Sequence, residues 1–253
     1  MGGWWWVVFI RTGGSAGPVL LLIHGLAANA EVWRGLIDLA EQHWPGRWIA
    51  PDLRGHGRSA CASSYSYGGY AADLAELLDG AAPVTVLGHS MGGAVGLALA
   101  SGSSGVSVGR VIGVGIKVGW TDDEAARMLA QAARQSAVFP DRDQAVARCL
   151  RLAGLEGPME ASSPVADAGV VPTADGFQVA FDPAVNGVGR PPMQELVAAA
   201  RAEVRLACGE SDPMVTVDQL RELDSDAVEI PGLGHNAHVE DPDLLWQTLI
   251  AAP

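Results

Sequence analysis

The sequence predicts an α/β protein, with a mostly parallel, doubly wound sheet and an inserted, mainly helical cap. Three observations predict it. Short apolar runs alternate with helix-period segments, as expected when both faces of a parallel sheet are covered. The 253 residues are enough for one large core, or one core plus a small insertion. The alternation lapses once, from about Gly119 to Ala202, and resumes at Val204, as it does when a segment is inserted between two strands.

The elements follow in order. A first strand over Trp5–Arg11 is closed by the turn Thr12-Gly13-Gly14-Ser15, and a second runs over Val19–His24. Glu31–His43 is helical and leads to a strand at Arg47–Ala50. Tyr70–Leu78 places Tyr70, Leu74, Leu77 and Leu78 on one helical face. Strands at Val84–Leu87 and Val111–Gly115 flank a helical run of small residues, Ala94 to Ala100. The insertion opens with Thr121-Asp122-Asp123-Glu124, where Thr121 and Glu124 have the spacing of a capping box. A helix near Asp141–Leu152, a Pro/Gly-rich stretch through Pro192 and a helix around Met193–Arg201 complete it. Strands at Val204–Cys208 and Ala227–Ile230 follow. Asp241-Pro242-Asp243 then caps a last helix through Ile250. The expected division is a core of residues 1–118 and 203–253, with a cap over 119–202.

Composition narrows the function. At 49% hydrophobic and 18% charged residues the chain is globular. A net charge of −13 opposes binding to a nucleic-acid backbone and gives no attraction to anionic membranes. Cys61, Cys149 and Cys208 are odd in number, widely spaced and without a metal-ligand pattern, so they read as thiols of a reducing compartment. The segment Met1–Arg11 lacks a basic leader region and a small-residue cleavage site, and it is too short to span a bilayer. Trp6 stands where an amino-terminal myristoylation signal wants Ser or Thr. These features lead to the expectation of a soluble, cytoplasmic protein. The adjacent Trp4, Trp5 and Trp6 have no assigned role.

The chemistry concentrates at Val84-Thr85-Val86-Leu87-Gly88-His89-Ser90-Met91-Gly92-Gly93, where an apolar run meets G-x-S-x-G and a helical run follows. That is the order a nucleophile elbow requires. Glycines two before and two after the serine remove side chains from a tight turn. Ser90 then sits at the tip, its hydroxyl facing a cleft, with the helix start aimed at any negative charge that develops there. A chance match is the alternative in a chain with 32 Gly, and the strand and helix on the correct sides favour the functional reading.

Further motifs stand in order along the chain: Leu21-Leu22-Ile23-His24-Gly25-Leu26, then Pro51-Asp52-Leu53-Arg54-Gly55-His56-Gly57-Arg58-Ser59. After the elbow come Gly209-Glu210-Ser211-Asp212-Pro213 and Gly232-Leu233-Gly234-His235. Together they resemble the α/β-hydrolase superfamily over nearly the whole chain, within its serine esterase and lactonase branch. The resemblance implies the chain order Ser, acid, His, met here by Ser90, Asp212 and His235. A serine hydroxyl needs an adjacent base, itself oriented by a third group. Asp122 and Asp123 are reserves for the acid, and a turn role is the alternative for Asp212. His235 is favoured over the nearby His238 because Gly234-His235 and Glu240-Asp241-Pro242 match the terminal family pattern. His24 is expected to brace the oxyanion loop, His56 to be structural, His89 to point away from the cleft, and His43 to end a helix. By the same resemblance the oxyanion donors are the backbone N–H groups of Leu26 and Met91.

No metal constellation, phosphate-binding loop or dinucleotide fingerprint is present, so no cofactor or metal is implied. The resulting expectation is hydrolysis of a small-molecule ester or lactone through an acyl-enzyme on Ser90. Trp120, Met128, Phe139, Phe177, Phe181 and Met193 are candidates for the pocket, although docking the cap onto the core is the competing role for each. A carbon–carbon bond hydrolase and an acyltransferase would use the same three residues. A non-catalytic binding protein is the remaining alternative.

Overall fold

The computed structural model describes residues 8–78, 82–103 and 105–251. In chain order the first half runs β1 (Ile10–Gly14), β2 (Val19–Ile23), α1 (Arg34–His43), β3 (Arg47–Pro51), α2 (Tyr67–Glu76), β4 (Val84–His89), α3 (Met91–Ala100) and β5 (Val108–Val114). An intervening stretch holds α4 (Asp122–Ala132), β6 (Val138–Phe139), α5 (Arg142–Leu152), α6 (Pro164–Ala168), β7 (Val170–Thr173), β8 (Gly176–Val179) and α7 (Met193–Ala199). The chain closes with β9 (Glu203–Gly209), α8 (Val217–Arg221), β10 (Val228–Ile230), α9 (Ala237–Glu240) and α10 (Pro242–Leu245), continued by a wide helical turn over Trp246–Ile250.

Seven strands form one sheet in the order β1-β3-β2-β4-β5-β9-β10. Only β1 runs antiparallel to its neighbour. The unbroken apolar run of β2 follows from this layering. Val19, Leu21 and Ile23 enter one core with Tyr70, Leu74 and Leu97, whereas Leu20 and Leu22 enter the opposite core with Leu36, Ile37 and Trp246. Small residues let α3 lie close to the sheet. All ten of its residues are buried, and a Cβ on Gly96 would stand 2.7 Å from Val86 Cγ1.

Backbone bonds continue past the strand ends. Ser90 N–H donates to Val114 O at 2.8 Å, and Gly115 N–H to Ala207 O at 2.8 Å. Glu210 N–H donates to Ile230 O at 2.9 Å, and Ser211 N–H to Leu233 O at 2.8 Å. The carboxyl edges of β4, β5, β9 and β10 are thereby joined one to the next, and the functional motifs hang from that edge.

Two expectations need correction. The first strand lies at Ile10–Gly14, so Thr12, Gly13 and Gly14 extend the edge strand instead of turning. Gly13 is there for close approach: a Cβ would fall 2.7 Å from the Trp48 ring. Trp5, Trp6 and Val7 of the expected strand, together with Trp4, lie outside the described residues. The stretch between β5 and β9 also contains a three-stranded antiparallel sheet, ordered β6-β8-β7, alongside the expected helices. Its strands are two to four residues long and one carries Pro172, too little for a period-two pattern to register. The capping box of Thr121 with Glu124 is formed as expected, and Asp141 and Asp241 cap α5 and α10.

Candidate active site

Ser90 occupies the turn between β4 and α3 at φ 50°, ψ −117°. Among the described residues only Ala27, at φ 59°, shares a positive φ without being glycine. Both strained residues adjoin the expected oxyanion donors, Ala27 following Leu26 and Ser90 preceding Met91. Such strain persists only where the surroundings hold it. Here the surroundings are backbone: a Cβ on Gly88 would meet Gly92 O at 2.5 Å, and one on Gly92 would meet Ile23 O at 2.2 Å. Met91 opens α3, so its N–H has no acceptor within the helix.

His235 and Asp212 meet. His235 Nδ1 stands 3.0 Å from each carboxylate oxygen of Asp212. The Asp212 side chain is fully buried, and its Oδ1 also accepts the Met214 N–H at 2.8 Å. An ionised carboxylate only accepts, so the proton of a neutral ring sits on Nδ1 and leaves Nε2 with its lone pair. The His235 loop is held by Glu240, which accepts from Gly234 N–H at 2.5 Å and Asn236 N–H at 3.1 Å. Of the reserve acids, Asp122 is exposed at the start of α4 and pairs with Arg190. Asp123 is likewise exposed on α4.

The D-x-R-G-x-G-x-S segment builds a clamp. Asp52, fully buried, accepts from the Ala30 N–H, the Arg58 N–H and the Arg58 guanidinium. These bonds, above all the Arg58 side chain, hold its carboxyl below the usual range against the opposing effect of burial. Ser59 closes the clamp by donating to Asp52 O while accepting from Phe9 N–H. The clamp fixes the segment just beyond Leu26.

The other histidines separate cleanly. His24 Nε2 accepts the Leu53 N–H at 2.9 Å, so Nδ1 carries the proton and donates to Gly25 O at 2.7 Å. It braces the loop before Leu26, as expected. His56 is buried against Phe181 and His24. His43 ends α1 and is exposed. His238 packs at a tilt between Trp33 and His89 and lines neither of the cavities that reach Leu26. His89 is among the residues bordering the cavity, while its buried ring packs against other elements as expected, its Nε2 bonding His235 O at 2.9 Å. It supports the histidine loop from below.

Burial depresses the basicity of His24, His56, His89 and His238, with His56 and His238 each pushed down to about 3. A group with a depressed native pKa binds its proton first in the unfolded chain, so stability falls as pH drops from 6.5 towards that value. His56 and His238 should each remove on the order of 1 kcal/mol per pH unit within this window. Urea midpoints between pH 7.5 and 4 should therefore fall steeply, and replacing His238 by phenylalanine should flatten the profile. An unchanged slope would contradict neutral burial.

Ser90, Met91, Leu26 and His235 all border one cavity of about 400 Å³, together with Trp120 and Met128. An adjoining cavity of about 390 Å³ is lined by Phe139 and Phe181 and shares Leu26, Gln131, Leu152 and Asn186 with the first. Two pocket expectations fail. Phe177 borders neither cavity; it pairs across the small sheet with Phe139 and packs on the core. Met193 is buried in the core at the start of α7 and touches only a separate surface depression. Tyr67, Asn186, Arg127 and Leu152 line the site without having been singled out. For Arg127 a signal existed, since Arg127, Met128, Gln131 and Arg134 have the spacing of one helical face. Among the described residues no group of three or more His, Cys, Asp or Glu is placed to hold a metal ion, and no helix is long and apolar enough to cross a membrane.

The sequence pattern of the Alpha/beta hydrolase family matches residues 20–248, from the second strand to the last helical turn. The chain belongs to this family. Among curated relatives, it is 37% identical over 140 residues to the magnesium-chelatase 30 kDa subunit of Rhodobacter capsulatus, covering 54% of this chain and 47% of that protein. It is 44% identical over 92 residues to lipase LipV of Mycobacterium tuberculosis, covering 35% and 34% respectively. The match to protein phosphatase methylesterase 1 of Bos taurus is 35% over 95 residues, covering 35% and 25%. The chain thus spans less than half the length of these relatives. Among solved structures, a thioesterase domain from the curacin biosynthetic pathway superposes at TM-score 0.76 with 24% identity, covering 95% of this chain and 94% of that one. E-2-(acetamidomethylene)succinate hydrolase does so at 0.76 and 24%, covering 96% and 94%. An N-acyl homoserine lactonase superposes at 0.72 and 22%, covering 96% and 91%. At these identities the likeness is one of fold, and it places this chain's sheet among alpha/beta hydrolase sheets.

Proposed function

We propose that this chain is a serine hydrolase that cleaves a carboxylic ester or lactone of a modest hydrophobic molecule. The observation that carries this reading is the meeting of three motifs at one place. Ser90 on its strained elbow opens into the same cavity as His235, whose Nδ1 is engaged by the buried Asp212. Lipase, methylesterase and lactonase relatives support the ester-type bond. In the first half-reaction Ser90 Oγ attacks the carbonyl carbon and His235 Nε2 takes its proton. The C–O bond then breaks, and the leaving alcohol receives that proton. Water repeats the sequence on the acyl-enzyme and releases the acid. Asp212 orients the ring and stabilises its cationic form. The N–H groups of Leu26 and Met91 receive the oxyanion, each being worth about 3–4 kcal/mol of transition-state stabilisation. Residues 119–202 act as the lid over this cleft.

A fluorophosphonate probe tests the nucleophile: Ser90 Oγ should displace fluoride and form a phosphonate ester, found by mass on the Ser90 peptide. No adduct, or an adduct elsewhere, would overturn the assignment. Pocket size is tested with p-nitrophenyl esters of increasing acyl length. Trp120→Ala and Met128→Ala should each shift the preferred length, because both side chains border the cavity. An unchanged profile in both variants would remove them from the pocket.

A further inference from the structure

Charge is distributed unevenly over the cleft. The chain has 29 Asp and Glu against 16 Lys and Arg, yet neither of the two adjoining cavities is lined by any Asp or Glu. Five basic side chains line them instead: Lys117, Arg127 and Arg151 in the first, Arg134 and Arg148 in the second. Two are already neutralised by acids outside the lining, Lys117 by Glu124 at 2.5 Å and Arg151 by Glu156 at 3.0 Å. The side chains of Arg127, Arg134 and Arg148 have no ion pair or hydrogen bond among the described residues. Two elements create this arrangement. The α4 face carries Arg127, Met128 and Gln131, with Arg134 just beyond its end, while α5 contributes Arg148, Arg151 and Leu152. Arg127 and Arg134 are exposed, whereas Arg148 is half-buried, so its guanidinium interacts through a medium less polarisable than bulk water.

Guanidinium groups left without partners in a cavity match a planar or tetrahedral oxyanion, which they bind through two parallel N–H donors. A neutral ester would leave these donors to solvent alone. An acidic substrate end would satisfy them, and the wall shared through Leu26, Gln131, Leu152 and Asn186 leads from the Ser90 cavity to Arg134 and Arg148. We infer that the substrate is an ester with one anionic end, a carboxylate or a phosphate, held in the second cavity by Arg148 and Arg134 while its ester group lies at Ser90. This inference rests on the serine-hydrolase reading and names the substrate class of that site.

Two matched pairs of esters test it and separate the sources of charge. The first pair is p-nitrophenyl octanoate and the mono-p-nitrophenyl ester of suberic acid, which puts a carboxylate at the end of the acyl chain. The second is 1-octanoylglycerol and 1-octanoylglycerol 3-phosphate, which puts a phosphate on the leaving group. In at least one pair the charged ester should have the higher kcat/KM. The charged-to-neutral ratio should fall about tenfold in Arg148→Met, as for one charged hydrogen-bonding group, and recover in part in Arg148→Lys. Taking the ratio within each variant removes differences in folding. Arg142→Met is the control for overall charge: Arg142 lies on the same helix but pairs with Asp167, and its loss should leave the ratio unchanged. A wild-type ratio near one in both pairs, or a preference that persists in Arg148→Met, would overturn the inference.

Binding separates this failure from that of the hydrolase reading. Calorimetric titration of wild type with suberamate and with octanamide needs no turnover. Preferential binding of suberamate, weakened in Arg148→Met, would support the anionic subsite even if every ester were inert. Equal binding of both compounds would reject it even if esters were hydrolysed.

Discussion

Replacing Ser90 by alanine should lower kcat for p-nitrophenyl ester hydrolysis by about 10⁴-fold or more, while leaving the fold intact. The loss is large because no other hydroxyl stands at the elbow in reach of both the cavity and its oxyanion donors. It is not total, because backbone N–H groups remain to polarise a bound carbonyl towards water. Thermal unfolding separates the chemical effect from a structural one. Alanine accepts the same backbone conformation at similar cost, so Tm should barely move. Ser90→Gly removes that strain, at φ 50° and ψ −117°, and should raise Tm while being equally inactive. A stabilised and inactive glycine variant would show that the strain serves the hydroxyl. Wild-type turnover in either variant would remove Ser90 from the mechanism.

Gly92→Ala should be among the most damaging small substitutions near the site. The new methyl group would stand 2.2 Å from Ile23 O and 2.6 Å from His24 O. Both are backbone atoms at the end of β2, which is paired to β3 and β4, so no flexible side chain can give way. Overpacking of this kind costs about 3 kcal/mol, at the upper end of the usual range. For a chain of this size that corresponds to a fall in Tm of about 6–12 °C. Displacing the end of β2 also displaces Leu26, so turnover should fall further than stability alone accounts for. Gly68→Ala, in helix α2 where a Cβ meets nothing within 4 Å, is the control: turnover should be unchanged and Tm should stay level or rise slightly. A Gly92→Ala protein with wild-type Tm would mean that α3 can shift against β2.

The legible parts of this sequence were those where one physical constraint acts alone. β2 is buried on both faces, so its composition is purely apolar, and its strand character was plain. The elbow was legible because Gly88 and Gly92 answer to backbone contacts that no other residue tolerates. Asp212 and His235 were found by chain order and resemblance, and the geometry that brings them together was invisible in their local sequence. Where two constraints compete, the reading failed. Gly13 and Gly14 look like a turn, yet they flatten an edge strand against Trp48 and Gly46. Met193 looked like a lid residue, but the start of α7 is anchored in the core. Phe177 and Phe139 sit in strands too short to show a period, so their pairing was hidden. The arginine lining was obscured for another reason: its members come from two helices, and a strongly acidic total hides a local reversal of sign.

The lacing of the strand ends governs how the site comes apart. The elbow, the tip of β5, the acid loop and the histidine loop are linked in series by Ser90, Gly115, Glu210 and Ser211 N–H donors. An opening that frees one of these amides must break a link of the sheet itself, so their deuterium exchange should be among the slowest in the chain and follow global unfolding. The amides of α4 and the β7–β8 hairpin, outside this series, should exchange through smaller openings. The molecule would then breathe between β5 and β9 while Ser90, Asp212 and His235 keep their mutual positions until the whole sheet melts.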